Sequence, residues 1–179
     1  MIKYFFARNI FGQSLFLKRC LIIIIGYLSH YRFSGSNKLK IKGSSIIRSL
    51  PKNNVLFVSN HQTYFADAAA MLHVFNSSIK GREDTLKNIM YLWNPKLNIY
   101  FIAAKETMNS SFISRILAYT GSVPVERTWR LKDKNIKRNL KKADIIKVNQ
   151  ALYDGWLITF PQGTTKPKAP IRKGTSYII

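Results

Sequence analysis

Apolar positions along the chain fall into three patterns. Short continuous runs bounded by polar turn residues occur at 55–58, 97–104, 121–127 and 155–160. Runs of that length suit buried strands covered on both faces. Helical spacing appears in Phe112, Ile113, Ile116 and Leu117, after a capping stretch Asn109-Ser110-Ser111. It recurs in Ile145, Val148 and Leu152, and strong helix formers follow Asp67 as far as Phe75, before Asn76-Ser77-Ser78. The third pattern is alternation: Lys38-Leu39-Lys40-Ile41-Lys42 predicts a half-buried strand. Only a mixture of helix and loop is predicted for 80–96. Strands alternating with helices define an α/β class, here a mixed sheet flanked by helices. No internal repeat stands out.

Residues 1–33 differ from the rest in being apolar, aromatic and basic, and Ser34-Gly35-Ser36-Asn37 marks a boundary to a domain over 34–179. The densest run, Cys20 to Leu28, would cross roughly half of a hydrocarbon core as a helix. Basic residues flank it on both sides: Lys3, Arg8, Lys18 and Arg19 before, Arg32, Lys38, Lys40 and Lys42 after. Both ends are therefore expected on the cytoplasmic side, as a re-entrant or interfacial membrane-associating helix. A secretory signal and a plain core helix are the other readings of the same pattern.

Charge sharpens the picture. Lys and Arg number 29 against 8 Asp and Glu, a net +21, so the expected partner is anionic. Nucleic acid, anionic lipid and an acidic protein all satisfy that. The densest basic tract, Arg127 to Lys147, is a solvated helix face or a docking surface for phosphates. Cys20 is the single cysteine, which excludes an intramolecular disulfide and a cysteine-based zinc site. His30, His61 and His73 show no metal-ligand spacing, so no metal is expected.

The candidate chemistry sits where the first strand ends, in Ser59-Asn60-His61-Gln62-Thr63-Tyr64-Phe65-Ala66-Asp67. A histidine at a strand-to-helix junction is placed where α/β sheets carry their sites. His61 is a candidate general base and Asp67 its orienting carboxylate; a structural His–Asp pair has the same spacing. Polar turns also follow two other strands, at Glu126-Arg127 and Pro161-Gln162-Gly163, and an open sheet would bring all three to one edge.

Asn60-His61-Gln62-Thr63-Tyr64-Phe65-Ala66-Asp67 resembles the first motif of the glycerophospholipid acyltransferases, the 1-acyl-glycerol-3-phosphate acyltransferase family. Gly121-Ser122-Val123-Pro124-Val125-Glu126-Arg127 is similar to that family's second block, Phe160-Pro161-Gln162-Gly163-Thr164-Thr165 to its third, and Ala169 to Thr175 to the approach to its fourth. The resemblance runs from about residue 50 to the end. Four blocks in order and spacing are specific where each alone is weak, and they argue against a nucleic-acid protein. The chain departs from the pattern twice. Five residues separate His61 from Asp67 where the family has four, which on a regular helix turns the carboxylate by about 100°. Either the turn is wider here, the favoured reading, or Asp67 does not support His61. Gln162 stands where the family has glutamate.

The resemblance implies a glycerol-3-phosphate acyltransferase-like fold and acyl transfer from acyl-coenzyme A or acyl carrier protein to a lysophospholipid hydroxyl, without any other cofactor. It implies catalytic roles for His61 and Asp67, phosphate binding by Arg127, and a polar substrate pocket lined by Gln162, Gly163 and Thr164. It further implies an apolar groove for the acyl chain, a location on the cytoplasmic face of an anionic membrane, and a further core strand beyond the fourth block, where this sequence stops. A different lyso-lipid acceptor on the same fold is one alternative. A non-catalytic basic binder of membrane or nucleic acid is another.

Overall fold

A computed structural model describes residues 7–36, 38–126, 141–171 and 175. Its framework is a sheet of four strands: β1 (Val55–Val58), β2 (Ile99–Ala104), β3 (Ser122–Val125) and β4 (Trp156–Thr159), in the order β1-β4-β2-β3. The α/β class expected from the sequence is what the structure has. Where a mixed sheet was expected, all three pairings among the described strands are parallel. Parallel neighbours need crossovers, which the helices α1 (Leu15–Tyr31), α2 (Ala66–Ile79), α3 (Lys105–Met108), α4 (Phe112–Tyr119) and α5 (Lys142–Asp154) surround and supply.

Alternation along the strands divides the core into two layers. Tyr100 and Leu157 face α5 and pack with Val123, Val148 and Ala151. Ile99, Trp156 and Ile158 face the other way, with Phe75 of α2 and with Phe57 and Met71. A strand with apolar neighbours on both faces has no polar period, which is why these segments read as continuous apolar runs. Two glycines let the strands start close together. A Cβ on Gly121 or on Gly155 would lie 2.2 Å from the Ile99 carbonyl oxygen or 2.0 Å from that of Asn98.

Helix α1 is capped by Ser14, whose hydroxyl accepts the Leu17 N–H at 3.3 Å. It buries Lys18, Ile22 and Gly26, one residue per turn, and leaves Phe16, Leu17, Ile24, Tyr27, Leu28 and Tyr31 exposed. Lys18 is fully buried; its ammonium lies 4.0 Å above the Tyr100 ring and burial pulls its pKa down to about 7. No helix of the described residues is long and apolar enough to cross a membrane.

Two local expectations are corrected. Residues 38–42 form no strand. Leu39 and Ile41 do point inward, against Phe33 and Tyr91, so the alternation reports sidedness correctly. They pack on helices and not beside a strand, so no ladder forms. Helix α2 runs past the expected stop at Asn76-Ser77-Ser78 to Ile79, because those residues find partners inside the fold. Ser77 donates to the Thr85 carbonyl at 2.6 Å and Ser78 to the Ser44 carbonyl at 2.5 Å.

Candidate active site

Parallel strands all end at one edge, so the loops after β1, β4, β2 and β3 are neighbours there in that order. The loops after β1 and β4 meet directly. Ser59 continues the ladder by donating its N–H to the Thr159 carbonyl at 3.0 Å. The next residues turn away, and Asp67 stands in the first turn of α2.

His61 and Asp67 come together. Nδ1 of His61 lies 3.0 Å from Oδ2 of Asp67, with the two side chains 16% and 20% exposed. The wider turn is what accommodates the extra residue. The loop curls over the helix start so that the Gln62 and Thr63 N–H groups also donate to Oδ2, at 2.7 and 2.9 Å, and the Thr63 hydroxyl donates to Oδ1 at 2.7 Å. Burial works to raise the Asp67 carboxyl, but the Thr63 N–H and hydroxyl, the Gln62 N–H and His61 together hold it below the ordinary carboxylate range. A carboxylate at a helix N-terminus is favoured by the peptide dipoles as well. Asp67 is therefore an anion with fixed position. With Nδ1 so engaged, Nε2 is the ring nitrogen left to exchange a proton. The imidazole is also stacked on Phe160, the residue after β4, with ring centres 4.4 Å apart and an interplanar angle of 22°.

His61 lines a cavity of about 520 Å³ at this edge. Its walls are mainly apolar: Ala68, Phe101, Ile102, Met108, Val125 and Val148. That size and lining suit an organic ligand with a long apolar part. Gly163 and Thr164 line it too, as expected, although the Gly163 N–H is already given to the Phe160 carbonyl at 2.9 Å. Gln162 is not among the lining residues. Its side chain accepts the His61 backbone N–H with Oε1 at 3.3 Å and donates from Nε2 to the Ala169 carbonyl at 3.1 Å. Arg127 lies outside the described residues. The segment before it is anchored: the Glu126 N–H donates to Asp144 at 3.1 Å, and the Glu126 carboxylate pairs with Lys141 and, at 3.8 Å, with Lys105. The Lys141 hydrogen bond and charge hold that carboxylate below its ordinary range.

Three contributors are not evident in the sequence, where Phe160 ends a strand pattern, Thr63 lies in a turn and Asp144 lies within a basic helix. A signal existed for Asp144, a rare acid among dense bases that turns out 5% exposed and in the cavity wall.

The model of a family described as Acyltransferase matches residues 38–178 of the chain. No curated protein and no solved structure matches it.

Proposed function

Because the chain belongs to the glycerophospholipid acyltransferase family, we propose that it moves a fatty acyl group from acyl-coenzyme A or acyl carrier protein to the free hydroxyl of a lysophospholipid. The acceptor in this reading is 1-acyl-sn-glycerol-3-phosphate, and the product phosphatidic acid. The observation that carries it is the His61–Asp67 contact of 3.0 Å at the edge of a largely apolar cavity.

His61 Nε2 takes the proton of the acceptor hydroxyl as that oxygen attacks the thioester carbonyl. The new C–O bond forms and the C–S bond breaks. The thiolate leaves with the proton that His61 then returns. Asp67 holds the ring in the tautomer that keeps Nε2 free and stabilises the imidazolium between the two transfers. No nucleophilic serine or cysteine is needed, since the acyl group passes directly between substrates. Apolar walls receive the acyl chain, and water exclusion there strengthens each polar contact. Gly163 and Thr164 form the polar side of the pocket. Arg127 is assigned to the acceptor phosphate, as a charge-assisted contact, on the likeness of Gly121 to Arg127 to the family's second block.

The enzyme works on the cytoplasmic face of an anionic membrane. The exposed residues of α1 support this, since Leu17, Ile24, Leu28 and Tyr31 lie apolar on the outer side of a helix in a chain of net charge +21.

The test is transfer of a labelled acyl group to 1-acyl-glycerol-3-phosphate by membranes carrying the chain or its His61→Ala variant. Label incorporated by the first, and reduced about 10³-fold in the second, is the expected result. Equal incorporation by both removes His61 from the chemistry. Label that enters only other lysolipids replaces the acceptor.

A further inference from the structure

Gln162 touches two loops at once. Its carbonyl oxygen accepts the His61 N–H at 3.3 Å across from the loop after β1. Its amide NH₂ donates to the Ala169 carbonyl at 3.1 Å and so closes the segment from 162 to 169 on itself. Ala169, Gly163 and Thr164 all line the cavity. One side chain therefore ties the backbone that carries the base to the wall against which a substrate would lie.

We propose that Gln162 is a positioning residue, whose neutral amide sets the His61 imidazole relative to the cavity wall at Ala169. An amide offers an acceptor and a donor on one planar group, and the two bonds use one of each. An ionised carboxylate of the same shape offers acceptors alone. It could still take the His61 N–H, but it would face the Ala169 carbonyl oxygen with no proton between them. A protonated carboxylic acid restores the donor, and because only that neutral form can bond the Ala169 carbonyl, the carboxyl is expected to titrate above its ordinary range. Glutamine thus makes the bridge independent of pH, where glutamate would make it a low-pH bridge only. Among the described residues, the loop that Gln162 meets carries the titratable groups His61 and Asp67, and its own loop carries Lys166 and Lys168. The catalytic consequence rests on the acyl-transfer reading above; the bridge does not.

The experiment compares the parent chain with Gln162→Glu and Gln162→Leu at pH 8 and pH 5. Backbone hydrogen exchange is followed in peptides covering 59–65 and 163–171, and acyl transfer is measured in parallel. Gln162→Leu is expected to exchange faster than the parent in both segments at both pH values. Gln162→Glu is expected to do so at pH 8 and to return toward the parent at pH 5. Its transfer rate relative to the parent should fall about tenfold at pH 8 and recover to within about threefold at pH 5, in kcat and not in KM for the donor. A structural site without the amide requirement would show no such reversal. Parent-like exchange in Gln162→Glu at pH 8, or a change confined to one segment, overturns the bridge. Those results beside normal parental transfer leave the acyl-transfer reading standing. The expected exchange pattern with no transfer by the parent upholds the bridge and overturns that reading.

Discussion

Two histidines of this chain have both been taken out of bulk water, and they have been made into opposite things. His61 has a carboxylate 3.0 Å from Nδ1 and lines a cavity. His73, on α2, is fully buried and has hydroxyls instead: Tyr91 at 2.7 Å from Nδ1 and Ser29 of α1 at 2.9 Å from Nε2. Burial, reinforced by the nearby His30, pushes the His73 pKa down to about 4. Both of its nitrogens are occupied, and among the described residues no carboxylate forms an ion pair with it. It fastens α1 and α2 to the turn bearing Tyr91. A base requires an anion to receive the charge and an open nitrogen to receive the proton; burial by itself yields neither.

The comparison breaks most visibly in kinetics. His61→Ala should lose about 10³-fold in kcat, while His73→Gln should stay within about threefold of the parent. Glutamine at 73 keeps one donor and one acceptor for the Ser29 and Tyr91 hydroxyls. Comparable losses in both variants, measured on protein of parental melting temperature, would show that the two histidines are not divided as described.

Asp67→Asn sharpens the division by leaving the ring in place and removing only the anion. About a 10²-fold fall in kcat is expected, because the imidazolium loses its counter-charge. Single-turnover rates across pH check it. An undiminished rate would assign Asp67 to folding the loop through Gln62 and Thr63 alone.

The remaining difference between the two histidines is in stability in acid. Unfolded His73 takes a proton below about 6.5, whereas folded His73 resists it down to about 4. Between those values the unfolded state binds more protons, so stability falls as pH drops through that window. The loss from this residue is on the order of 3 kcal/mol. Urea denaturation of the parent and of His73→Gln between pH 7 and pH 4 measures it, and the variant's total loss over that range should be smaller by that amount.

Much of the fold was legible because short-range patterns record local environment. The strands at 55–58 and 122–125 and the Ser111-capped helix lie where periodicity put them, since burial on one or two faces writes itself into neighbouring residues. His61 and Asp67 were legible for a related reason, being close in the chain and at a junction. Lys38 to Lys42 shows the limit: alternation reports which side is buried and is silent on whether a strand lies alongside.

By itself the sequence determined the α/β class, the acyltransferase family and the pairing of His61 with Asp67 at the end of the first strand. Tertiary structure decided the rest, and the physical reason is separation along the chain. Strand β4 inserts beside β1, and this puts Phe160 under the His61 ring and Gln162, 101 residues along the chain, against the His61 backbone. No local period encodes a neighbour at that distance. The same holds for His73, whose silence depends on hydroxyls from α1 and from the turn at Tyr91. Which histidine has room and a counter-charge is a property of what packs around it, and only the assembled sheet and helices supply that.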